Sequence, residues 1–136
     1  WSSDVCSSDL AYLTAAGVPA AIPDLASHRL LAAEGQLPWR LTAGRRTATV
    51  ERPSHVATNS SEIVRELALT GVGIALRSLW DVGAALRDGT LLRVLPDWEG
   101  SADVAVYAVH APGPVPAAVA AFVAFLRETV DEAAWD

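Results

Sequence analysis

The stretch HVATNSSEIVRELALTGVGIAL, residues 55–76, holds the fold in miniature. Its middle, SSEIVRELALTG, reads as a helix: Ile63, Val64, Leu67 and Ala68 form one apolar stripe, and Gly71 closes the last turn. Ahead of it, Thr58-Asn59-Ser60-Ser61 places hydroxyls and an amide where the first backbone N–H groups of a helix need acceptors. Asn59 is a good N-cap, with Glu62 three positions on like the partner in a capping box; Ser60 can fill the same role. HVAT, 55–58, reads as a short strand that feeds this helix. VGIAL, 72–76, is a continuous apolar run, as expected of a strand buried on both faces.

The alternation continues outward. Downstream, LWDVGAALRDG (79–89) reads as a helix and LLRVLP (91–96) as a strand ended by Pro96-Asp97. DVAVYAVHA (103–111) alternates as another strand, and PGPVP leads to a final helix on which Val115, Val119, Phe122, Leu126 and Val130 recur at helical spacing. Upstream, AYLTAAG is a helical turn stopped by Gly17, Pro23-Asp24 starts a turn that tucks Leu25 inward, and HRLLAA looks like a strand. LPWRLT (37–42) and RTATVE (46–51) pair as a hairpin around Ala43-Gly44. Strands alternating with short helices indicate an α/β fold with a mixed, mostly parallel sheet flanked by helices. The final helix is awkward: its apolar face is broad, and few elements remain for it to cover.

Composition narrows the function classes. The chain has 136 residues, half of them apolar, enough for one domain with a core of its own. Sixteen acids stand against ten bases, all of them Arg, for a net charge of −6. With no basic run, contact with a nucleic-acid backbone by these residues is disfavoured. No apolar stretch approaches the roughly 18 residues that a membrane helix needs, and no signal peptide is visible. One cysteine excludes an internal disulfide and any Cys-rich metal site.

The first ten residues, WSSDVCSSDL, read differently. They are rich in Ser and Asp and lack the Ala/Arg bias that begins at Ala11. GTG TGC TCT TCC GAT CT, a common sequencing-adapter oligonucleotide, translates to Val-Cys-Ser-Ser-Asp-Leu, the order of Val5 to Leu10. Residues 1–10 are therefore expected to be a non-native, adapter-derived segment fused to a truncated gene, with no functional role.

The case for catalysis is thin. His28, His55 and His110 lie far apart without metal-ligand spacing, no Gly-x-Ser-x-Gly elbow exists, and Gly71-Val72-Gly73 lacks the third glycine of a dinucleotide fingerprint. No catalytic residue, metal or cofactor is expected. The polar run offers more: beyond capping, a helix start presents free N–H groups and a positive dipole end to a carboxylate, at the carboxyl ends of strands where Thr58 would sit. Thr58, Asn59 and Ser60 are candidate ligand contacts. Gly73 either lets a ligand approach or packs against backbone. Leu76 and Arg77 end the following strand, where Arg77 can hold a ligand carboxylate or pair with Asp81 four positions along. Trp39, Trp80 and Trp98 read as packing anchors.

Taken in order, Tyr12-Leu13, Gly17, Pro19, Asp24-Leu25, His28, Trp39, Asn59-Ser60, residues 71–76, Leu86, Gly89, Leu91, residues 94–98, residues 107–109 and residues 121–126 resemble the effector-binding domain of LysR-type transcriptional regulators. The resemblance spans residues 11–131. It implies one lobe of a periplasmic-binding-protein-like, two-lobe domain, with a small-molecule site in the cleft between lobes. Residues 11–106 would be the second lobe and 107–131 the crossover strand and helix returning to a largely missing first lobe, followed by an acidic tail at 132–136. It further implies a small organic, often anionic, effector, met by hydroxyls and amides at Thr58, Asn59 and Ser60, with Gly73, Leu76 and Arg77 added as candidate contacts by the reading of the following strand. The intact protein would be a cytoplasmic homodimer or tetramer that meets DNA only through an N-terminal helix-turn-helix absent from this chain. Homodimerisation through the helix over 62–70 is a further expectation. A solute-binding module of a transporter is the alternative from another class.

Overall fold

The computed structural model describes residues 4–100 and 107–129. A four-stranded sheet is ordered β2 (Leu30–Leu31), β5 (Ile74–Ser78), β1 (Asp4–Asp9), β6 (Leu91–Arg93). β2 and β5 run parallel, while β1 runs against both β5 and β6. Three strands thus point one way and the central one opposes them, which makes the sheet mixed. β3 (Trp39–Ala43) and β4 (Arg46–Val50) form a separate antiparallel hairpin in the register Trp39↔Val50 to Ala43↔Arg46.

The sheet is buried on both faces, and the period of a strand shows how. Neighbouring residues on each strand fall into opposite cores: Cys6, Leu30 and Ile74 on one side, Val5, Leu31 and Ala75 on the other. The first face packs against α1 (Leu10–Ala16), the 3-10 helix Ile22–Ser27 and the hairpin, through Tyr12, Leu13, Leu25, Trp39, Leu41 and Val50. The second packs against α2 (Ser61–Leu69) and α3 (Leu79–Arg87), through Val64, Ala68 and Val82. Burying a Leu, Ile or Val side chain is worth about 1.5–3 kcal/mol each, so this double coverage carries the fold.

The polar N-terminal segment, expected to be adapter-derived and without a functional role, supplies an inner strand of the sheet. Val5, Cys6, Ser7 and Ser8 are fully buried. Ser8 Oγ donates to the Gly73 carbonyl at 2.8 Å, and Asp9 caps α1 by accepting from the Ala11 and Tyr12 amides. Burial pushes the Cys6 thiol up to about 12, with the Arg93 charge opposing and Asp4 adding to the rise. It is therefore protonated and unreactive at neutral pH. Ser7 Oγ is the weak point, buried with no acceptor or donor among the described residues. Ser7→Ala is expected to raise stability by about 1 kcal/mol, since it deletes an orphan hydroxyl at little cost in volume. Urea unfolding checks this, and a lower midpoint for Ser7→Ala would contradict it.

Two other expectations change. HVAT forms no strand: Ser54 Oγ accepts from the Ala32 amide and donates to the Val56 carbonyl, so a side chain takes the place of ladder bonds. Only single backbone bonds, His55 N–H to Leu30 O (2.7 Å) and Glu34 N–H to Thr58 O (2.8 Å), tie this segment to β2 and its following loop. Of the strand expected at 103–111, residues 107–111 have no regular structure and 101–106 lie outside the described residues. The final helix is α4 (Ala117–Thr129), and none of its residues is buried: Phe122 and Phe125 remain 59% and 56% exposed. Val119, Val123 and Leu126 are only half-covered, so the apolar face is left largely open.

Candidate functional site

α2 sets the geometry of the site, and its ends explain its position. At the C-terminus Gly71 adopts φ +73°, its amide donating to Ala68 O and that of Val72 to Leu67 O, a Schellman closure that turns the chain into β5. At the N-terminus the cap is Ser60, whose Oγ accepts from the Ile63 amide at 3.4 Å. The expected Asn59–Glu62 box does not form: with Ser60 as cap, Glu62 stands one position short of it. Thr58 Oγ1 in turn accepts the Ser60 amide at 3.1 Å and holds the approach to the helix in a tight polar turn. The amides of Ser61 and Glu62 have no partner among the described residues, as expected of a first helical turn.

Beside this helix start lies a groove of 560 Å³. Residues 32–35 and Leu37, from the loop after β2, form one wall; residues 56–59 form the other. The groove opens beyond the carboxyl end of β2, the edge at which α/β sheets commonly take ligands. Thr58 is half-buried there and Asn59 is exposed. Because Thr58 Oγ1 accepts from Ser60, its own proton is left to donate into the groove. A second hollow, of 440 Å³, runs along α4 beneath the Pro-rich bridge and is lined by His110, Val115, Ala120, Val123, Ala124, Arg127 and Glu128.

Of the six residues singled out from the sequence, Thr58 and Asn59 line the groove and Ser60 adjoins it as the cap. The other three are engaged elsewhere. Gly73 is a packing glycine: a Cβ there would stand 2.3 Å from the Arg29 carbonyl oxygen. Leu76 packs on the core around Cys6 and Trp39. Arg77 is buried and gives both Nε (2.8 Å) and Nη2 to Asp81 Oδ2. The other oxygen of Asp81 takes Arg65 Nη1 from α2 at 3.0 Å, so one carboxylate joins α2, β5 and α3. A hydrogen bond to Glu66, together with the Asp81 charge, holds the Arg65 guanidinium above its ordinary value. Glu34, at the groove wall, escaped the sequence reading because no motif marks it; only the contact across to Thr58 brings it there.

Trp39 is a core anchor, Trp98 is half-buried beneath Arg46 (5.2 Å to the ring centre), and Trp80 is 47% exposed. Among the described residues no cluster of three metal-ligating side chains occurs, and no helix is long and apolar enough to cross a membrane.

Comparison with known proteins places this geometry. The activator TtdR of Escherichia coli O6:K15:H31 is 47% identical over 70 residues, which are 51% of this chain and 23% of TtdR. The chain thus aligns with about a quarter of the length of that relative, an HTH-type transcriptional activator. The regulatory domain of AphB from Vibrio vulnificus superposes with a TM-score of 0.70 at 28% identity, covering 74% of this chain and 51% of that one. The regulatory domain of CrgA, a LysR-type transcriptional regulator from Neisseria meningitidis, shares the fold (TM-score 0.70, 24% identity) over 93% of this chain and 64% of its own. The family model for the LysR substrate binding domain matches residues 5–131, and the chain belongs to that family.

Proposed function

We propose that this chain is the effector-sensing part of a LysR-type transcriptional regulator and that a small organic molecule binds in the groove between the loop after β2 and residues 56–59. The observation that carries this reading is the placement of a donor hydroxyl (Thr58) and a side-chain amide (Asn59) on one groove wall, immediately ahead of the start of α2. A ligand there would gain the helix dipole as well as direct hydrogen bonds. Effector binding shifts an equilibrium between arrangements of the intact protein by its differential affinity for them. The lobe expected over 11–106 takes in β1 (Asp4–Asp9) as well, and residues 107–129 lead toward a companion lobe whose apolar surface covers α4. The intact regulator meets DNA through a separate helix-turn-helix segment, works in the cytoplasm as a homo-oligomer, and carries out no catalysis. The transporter reading has no support from the relatives named above, which are regulators.

Calorimetry tests the groove. Small carboxylates and hydroxy acids that bind the wild-type chain are expected to bind Thr58→Ala about tenfold more weakly, the loss of one hydrogen bond to a charged group. Unchanged affinity would remove Thr58 from the site.

A further inference from the structure

The charge of the groove limits what it can hold. None of the ten arginines lines it, and its one charged side chain is the carboxylate of Glu34. The remaining walls are apolar or small, Ala32 and Ala57 among them, apart from Thr58 and Asn59. A dianion placed here would meet hydroxyl and amide donors at one end and a like charge at the other. Glu34 is exposed, so water screens the repulsion, but a second carboxylate a few ångströms away is still disfavoured.

The two ends of the groove ask for opposite partners. On the wall that leads into α2, Thr58 Oγ1 and the Asn59 side chain can donate to a carboxylate. On the other wall the Glu34 carboxylate accepts only, and it has no cation partner among the described residues. The walls are close, since the Glu34 amide reaches the Thr58 carbonyl at 2.8 Å. A molecule with a carboxylate and an ammonium group a few ångströms apart satisfies both ends. Resting on the groove as the effector site, we propose that its ligand class is a small zwitterion of amino-acid type, with the carboxylate toward Thr58 and the ammonium toward Glu34, and that Glu34 selects against dicarboxylates.

The test uses the 136-residue chain, with L-serine and L-alanine as zwitterions and succinate and malonate as dianions, titrated by calorimetry. The wild type is expected to bind a zwitterion at least about tenfold more tightly than either dianion, the discrimination of one charge-assisted pair. Glu34→Gln, which keeps the shape and removes the charge, is expected to weaken the zwitterion about tenfold and to narrow or reverse the preference. Thr58→Ala is expected to weaken both classes. Tighter binding of succinate or malonate to the wild type, lost in Thr58→Ala, would overturn the zwitterion assignment and leave the groove reading standing. Binding that responds to neither substitution, or no binding by any of the four probes, would overturn both.

Discussion

An Asp81→Ala chain is expected to lose about 3–5 kcal/mol of folding stability, a large part of the roughly 5–15 kcal/mol a domain of this kind has. Asp81 and Arg77 side chains are 6% and 8% exposed, so removing the carboxylate strands a guanidinium inside the fold. Arg65, at 35% exposure, can turn to water and contributes little of the loss. The position of the pair matters as well as its burial: the same carboxylate ties the middle of α2 to β5 and to α3, and the segment leading into α2 forms one wall of the groove. The double change Arg77→Leu with Asp81→Ala is expected to recover part of the loss, since the buried charge goes with its partner. Urea unfolding at an unchanged m-value reads both effects. A loss below about 1 kcal/mol for Asp81→Ala would mean that the pair behaves as a surface bridge.

Gly73→Ala is the second large effect. A methyl group at this position would sit 2.3 Å from the Arg29 carbonyl oxygen, and that carbonyl accepts the Ile74 amide at 2.8 Å where β5 begins to pair with β2. Neither partner is a flexible side chain, so backbone has to move. The expected cost is about 3 kcal/mol, the upper part of the usual range for overpacking, read from thermal or urea unfolding. The Gly73 carbonyl also anchors Ser8 of the central strand, so the damage would extend across two strand pairs. If Gly73 instead served ligand approach, Gly73→Ala would keep its stability and lose binding, and that result would contradict the packing account.

Much of this fold could be read from residue spacing. α2, α3, β5 and the β3–β4 hairpin fall where periodicity and turn residues indicate, because each has a face or a run whose apolar pattern matches its burial. β1 could not be read that way. Its Val-Cys-Ser-Ser core shows no alternation because both faces are buried, and small polar side chains fill it without marking a side. The strand expected over 55–58 failed for a local reason: Ser54 offers its hydroxyl to the neighbouring chain, and short polar side chains compete with ladder bonds. At the groove, the places of Thr58 and Asn59 on the wall were legible because a polar run before a helix announces itself. Leu76 and Arg77 lie on a strand whose end points toward the ligand edge, but packing and the Asp81 carboxylate had already engaged them. Sequence spacing cannot show that competition between partners. Nor does it show Glu34, which reaches the groove wall through a loop of small residues.

The most direct measurement is the backbone amide map of the isotopically labelled chain during titration with the tightest-binding probe of the four. The largest shifts are expected on Ala33, Glu34, Thr58, Asn59 and the first turn of α2. Shifts concentrated on His110, Val115 and the α4 residues, with the start of α2 unmoved, would contradict it.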